Sequence, residues 1–149
     1  MSVVECIKNN FTNAKRRGCS EKGCTLKLNG LSNHVVLKGE RICQNRRICD
    51  CIIFAEGIII GIVELKSKTA HSSEIEEKLA NGSEIALNIL DECSNNDIKF
   101  KFYHLVLAKR WDSSEYKMII RKKIIVRGKK YPIIPKRCGI SFSEIISGF

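Results

Sequence analysis

Two apolar runs joined by a glycine constrain this chain more than anything else in it. The first is Arg47-Ile48-Cys49-Asp50-Cys51-Ile52-Ile53-Phe54, with one acid set inside it. The second is Ile58-Ile59-Ile60-Gly61-Ile62-Val63-Glu64-Leu65-Lys66, which ends in Glu-x-Lys. Both are short, rich in Ile and Val and bounded by turn residues, a pattern that predicts two buried strands turning at Gly57. An ionised carboxylate near the buried end of a strand costs several kcal/mol unless it is paired or holds a cation. Two acids and a lysine in that setting need a reason, and a hydrated divalent cation is an economical one.

The hairpin register tests this idea, because cross-strand partners face the same way. A two-residue loop at Glu56-Gly57 pairs Asp50 with Val63 and puts the carboxylates on opposite faces. A three-residue loop, Ala55-Glu56-Gly57, pairs Phe54 with Ile58 and puts Asp50, Glu64 and Lys66 on one face. Gly57 then falls in the left-handed last position that such loops favour. The expected register is the one that brings the charged groups together.

At these residues the chain resembles the PD-(D/E)xK superfamily, the restriction-endonuclease-like nucleases that include Holliday-junction resolvases. Asp50, thirteen residues and then Glu64-Leu65-Lys66 look like its signature, and the likeness spans roughly residues 34 to 107. It implies an α/β fold with a restriction-endonuclease-like mixed sheet flanked by helices, an αβββαβ core with a C-terminal extension. It also implies that Asp50 and Glu64 hold Mg²⁺ (or Mn²⁺), with the Leu65 carbonyl as a further ligand. Lys66 would orient the attacking water or steady charge developing on the phosphate. Cys49 stands where the name-giving proline would be, and Lys78 where several relatives carry glutamine. Glu40 is a candidate further metal carboxylate, with Glu5 as its competitor.

Each residue also has a plainer reading. Glu64 and Lys66 could form a solvated pair at a strand end, Asp50 could cap a turn, and Lys78 could snorkel along its helix edge. The strongly apolar strands around Asp50 and Glu64 weigh toward the catalytic reading. The chemistry is coherent, since magnesium takes oxygen ligands and keeps several waters. Such an ion can acidify water and neutralise a transition state, while a lysine adds a point charge.

A chain of 149 residues can bury a single sizeable core, and we expect one domain over 1–149. No apolar run approaches the roughly 20 residues that span a bilayer, and the polar start lacks a signal-peptide pattern, so a cytoplasmic protein is expected. The net charge of +10 points to a polyanionic partner, because phosphate neutralisation supplies most non-specific nucleic-acid affinity. Candidate contacts are Lys15-Arg16-Arg17 and the tail residues Arg121, Lys122, Lys123, Arg127, Lys129 and Lys130, meeting phosphates rather than base edges. DNA is the first expectation for the partner, with a homodimer left open.

Elsewhere the pattern reads αβββαββα. A helix is predicted over residues 3 to about 15, a loop-rich stretch over 18 to 30, and a strand over His34-Val35-Val36-Leu37-Lys38. A second helix starts with the capping box Ser73 and Glu76 and carries Gly82 within its apolar stripe. Residues 102 to 107 and 116 to 126 read as strands, and 141 to 146 as a short closing helix. The eight cysteines lack zinc-knuckle spacing, so free thiols in the core are the expectation, with a structural metal or disulfides as alternatives. Alternation along the Asp50 strand would turn Cys49 and Cys51 to the face away from the site. His104 reads as a satisfied core residue and His71 as part of the helix-entry loop. The resulting expectation is a Mg²⁺-dependent phosphodiesterase acting on DNA. Its rivals are a non-cleaving binder of the same fold and a cysteine-rich, metal-stabilised interaction module.

Overall fold

The computed structural model describes residues 2–66, 72–95 and 97–148. Its centre is a seven-stranded mixed sheet in the order β1-β4-β5-β6-β7-β9-β8. The strands are β1 (Lys15–Arg16), β4 (His34–Lys38), β5 (Cys51–Ala55), β6 (Ile59–Lys66), β7 (Lys101–Ala108), β8 (Lys123–Val126) and β9 (Lys129–Arg137). Strands β6, β7 and β9 run parallel, and every other neighbouring pair is antiparallel. A separate hairpin pairs β2 (Cys19–Glu21) with β3 (Cys24–Leu26). The helices are α1 (Val3–Asn10), α2 (Gly39–Ile42), α3 (Ser72–Cys93), α4 (Ser113–Arg121) and α5 (Phe142–Ser147).

The sheet separates two apolar layers. On one face Ile52, Phe54, Ile60, Ile62 and Val106 meet Val4 and Ile7 of α1 and Ile75, Leu79 and Leu90 of α3. On the other face Ile53, Val63, Leu65 and Leu105 meet Cys19, Cys24 and Leu26 of the hairpin and Phe142 and Ile145 of α5. Glycine sets the closest approaches. A Cβ on Gly82 would lie 2.5 Å from Cys49 Sγ and 3.1 Å from Ile62, so α3 crosses β6 where only glycine fits. Close packing, not a kink, accounts for that residue. No helix among the described residues is long and apolar enough to cross a membrane.

Several expectations require correction. The first helix stops at Asn10, and Lys15 and Arg16 instead pair with Leu37 and Val36 as an edge strand. The stretch from 18 to 30 contains the β2–β3 hairpin. Helix α3 already includes Ser72, so Ser73 lies in its first turn and does not cap it, while His71 lies outside the described residues. The segment predicted as a strand over 116 to 126 is helix α4 followed by β8. Asp112 caps that helix, accepting from the Ser114 N–H at 3.1 Å, with Glu115 three residues on. Pro132 and Pro135 lie within β9.

The cysteines are corrected too. Cys6 bonds Cys93, joining α1 to the end of α3, while Cys19–Cys51 and Cys24–Cys138 fasten the hairpin to β5 and to the segment after β9. Only Cys43 and Cys49 are free, too few for a four-ligand structural zinc site.

Two predictions follow from this packing. A thiol reagent should find one reactive cysteine in the native protein, Cys43, because Cys49 is buried. Two should react in denaturant, and all eight only after reduction. Gly82→Ala should lower stability by about 1–3 kcal/mol through overpacking against Cys49 and Ile62, read by denaturant titration. An unchanged midpoint would mean that α3 can lift off β6 at little cost.

Candidate functional site

The observed turn between β5 and β6 is Glu56-Gly57-Ile58, with Ala55 opposite Ile59 and Cys51 opposite Val63. The expected pairing of Phe54 with Ile58 is therefore wrong by one residue on each strand: Phe54 pairs with Ile60. Gly57 and Ile58 both take left-handed backbone, φ 85° and 54°. An odd loop length preserves the parity, so the face assignment is unaffected. Asp50 lies at a bend immediately before β5, at the strand end and not in its interior.

Glu64 is the buried member of the site, 1% exposed near the carboxyl end of β6. Its Oε2 accepts from Lys66 Nζ at 2.9 Å and from Lys78 Nζ at 3.1 Å. Lys78 also pairs with Glu74 Oε1 at 3.2 Å. Lys78 thus points into the site, which overturns the reading of it as a side chain snorkelling along the helix edge. Burial, the largest single effect on Lys78, lowers its pKa, but Glu64 and Glu74 together outweigh burial and raise it. Glu64 Oε1 is buried without any hydrogen-bond partner.

Asp50 approaches the same point from β5. Its Oδ2 accepts from the Leu65 N–H at 2.7 Å. In an extended strand one residue's N–H and C=O point toward the same neighbour, so the Leu65 carbonyl faces the Asp50 side as well. Burial, then the charge of Glu64, push the Asp50 pKa up to about 7, against the lowering effect of the Leu65 N–H. Glu21, at the end of β2, contributes to the same rise. With Asp50 ionised, Asp50, Glu64 and Glu74 set three carboxylates against two ammonium groups. The local charge is then one negative in excess.

Cys49 belongs to this site, contrary to the alternation argument. It precedes the strand, so strand parity does not govern it, and it packs with Ile52, Ile62 and Leu79 on the face of Glu64. Burial first, then Glu64 and Asp50, hold its thiol far above its ordinary range, so it is an inert filler and not a nucleophile.

Other expected residues lie elsewhere. Glu40 is paired with Lys38 at 3.0 Å and is 68% exposed, and Glu5 bonds Lys8 and Asn33. Among the described residues no three His, Cys, Asp or Glu side chains converge as a metal cluster. His104 is buried in β7, bonded to Ser83 at 2.8 Å, and burial depresses its pKa to about 3; its Nδ1 has no partner. The basic residues are divided. Lys15 and Arg16 occupy one edge of the sheet, with Arg17 just beyond, and Lys123, Lys129 and Lys130 belong to the strands at the other. Arg121 ends α4. Lys122 is paired with Glu76 at 3.1 Å, and Arg127 with Asp91 at 2.8 Å.

No protein-family model, curated protein or solved structure matches this chain.

The sign of the Asp50 shift gives a test. A carboxyl raised from 3.8 to about 7 on folding adds stability below pH 4 that is lost as the pH rises through 7. Asp50→Asn, which can keep the Leu65 bond, should therefore melt higher than the parent at pH 8 in EDTA. Mg²⁺ should raise the melting temperature of the parent but not of the variant. A variant less stable than the parent at pH 8 without metal would show that the carboxylate is not strained there.

Proposed function

We propose that this chain is a divalent-metal-dependent phosphodiesterase, a nuclease whose preferred substrate is DNA, with a restriction-endonuclease-like core. The order α1-β4-β5-β6-α3-β7 agrees with the αβββαβ arrangement that the PD-(D/E)xK resemblance implies. The observation that carries the reading is the unpartnered, buried Oε1 of Glu64 beside an Asp50 held protonated to about pH 7. An oxygen in that state costs free energy unless a cation meets it. Asp50, Glu64 and the Leu65 carbonyl fit Mg²⁺, a small, oxygen-preferring ion that uses one or two carboxylates. When bound, the ion would acidify water and offset charge on a phosphate.

The chain's own groups supply the rest. Lys66 is 19% exposed at the strand end and holds a positive charge where a phosphate would arrive. Lys78 fixes the Glu64 rotamer through Oε2 and leaves Oε1 facing Asp50. Ionisation of Asp50 is required for the metal, so activity should rise with pH through about 7. More Mg²⁺ should move that midpoint lower, because metal and proton compete for the same carboxylate. Three disulfides suit an oxidising compartment, and inside a cell chiefly a hyperthermophile's. The intracellular reading carries that condition.

Asp50→Ala, Glu64→Ala and Lys66→Ala should each reduce Mg²⁺-dependent cleavage of a labelled DNA panel by about 100-fold or more. Lys66→Ala should spare the Mg²⁺-induced melting shift, whereas the two carboxylate variants should lose it. Full cleavage by purified Glu64→Ala would sink the assignment. An inactive parent that still binds DNA would leave the non-cleaving reading.

A further inference from the structure

Resting on the reading above, we infer that the nucleic-acid backbone is held by the carboxyl-terminal rim of β6, β7 and β9, through Lys22, Lys109, Arg110 and Arg137. Strand polarity decides this. Lys66 pairs with Ala108 and Ala108 with Arg137, so the three strands end in one row. The row spans about 10 Å at roughly 4.8 Å per strand. Cross-strand partners share a face, so Arg137 projects from the same side as Lys66. Lys109 and Arg110 follow directly from the end of β7 and are exposed.

The hairpin completes the rim. Its Lys22-Gly23 turn is left-handed, φ 47° and 81°, and Lys109 Nζ lies 3.1 Å from where a Cβ on Gly23 would sit. Glu21 on the same tip acts on Asp50. The tip therefore stands between the carboxylate pair and Lys109. Two disulfides fix it there, since Cys51 adjoins Asp50 and Cys138 adjoins Arg137. Lys22, Lys109, Arg110 and Arg137 carry no ion pair to any described residue. Their charge is available to a partner.

The Arg127-to-Lys130 turn is the alternative, and it lies at the other end of the sheet. Strand β9 runs nine residues from Lys129 to Arg137, about 26 Å at 3.3 Å per residue. Arg127 is also committed to Asp91 and Asn88.

Binding of a labelled duplex DNA to the full, disulfide-intact chain in EDTA, across a salt series, tests the assignment apart from cleavage. Lys109→Ala/Arg110→Ala/Arg137→Ala should flatten the log-affinity against log-salt slope by about 2.7, or about 0.9 per phosphate contact. Arg127→Ala/Lys129→Ala/Lys130→Ala should leave the slope within about one contact of the parent. Should the rim triple fail to fold, Lys109→Gln, Arg110→Gln and Arg137→Gln are read singly, each flattening the slope by about 0.9. An unchanged rim slope, a larger loss in the far-end triple, absence of DNA binding by the parent, or equal competition by polyglutamate would each overturn the proposal. Rim-dependent binding by a protein that cleaves with no metal would uphold it while removing the nuclease reading.

Discussion

Glu64 puts a full charge on the strand at the middle of the sheet, and much of the local structure exists to tolerate it. One lysine comes from two residues along the same strand and another from the helix that follows. The second reaches Oε2 because α3 lies close against β6, and it lies that close because Gly82 has no side chain to hold it off. Cys49 fills the space left beside that contact. A buried ion pair of this kind is weak evidence for stability, since a well-packed apolar substitute is often as good, whereas losing one partner costs about 3–5 kcal/mol. The charge is therefore expensive to keep and expensive to expose. Its free oxygen, turned to a second carboxylate, is the sign that the expense serves a ligand.

How much of this was legible in the sequence depends on which physical rule governed each segment. The β5–β6 hairpin was readable because parity is robust: moving the loop frame by one residue on both strands changes every partner but no face. The frame itself was not readable, since it required Ile58 to accept a left-handed backbone, which a β-branched residue resists. The segment from 116 to 126 misled because Tyr116, Met118, Ile120 and Ile125 are apolar yet exposed. Burial at Ile119, Ile124 and Val126 follows two different periods on either side of Arg121. The Asp112-to-Glu115 cap was the signal that could have separated them. Lys78 was ambiguous for another reason: a lysine at the edge of an apolar stripe looks the same whether it turns to water or to a buried acid.

Cysteine pairing lay beyond sequence arithmetic, because eight thiols allow many connectivities and spacing selects none. The pairs found join elements far apart in the chain, with separations of 87, 32 and 114 residues. Two of them converge on the small hairpin, which otherwise adds two short strands outside the main sheet. Its cross-links end beside Asp50 and Arg137, so covalent bonds reinforce the segment that faces the carboxylates. Oxidation state and site geometry are thereby linked: reduction would free the hairpin tip that carries Glu21 and Lys22.

The distribution of charge shows why clustering in sequence is a poor guide to a binding face. Arg127, Lys129 and Lys130 stand out as a basic run, yet a tight turn between antiparallel strands places them at the sheet end remote from Asp50 and Glu64. Lys109, Arg110 and Arg137 are scattered in sequence, and parallel pairing draws their strand ends together beside Lys66. The βα connection after β6 and the longer return through α4 and β8 make this possible, since each brings the next strand back in the same direction. Parallel strands gather residues that follow their carboxyl ends, whatever their distance along the chain. A site at the end of β6 is thus bordered by groups that only the topology could assemble, and the excess positive charge gains a direction it lacks as a simple count.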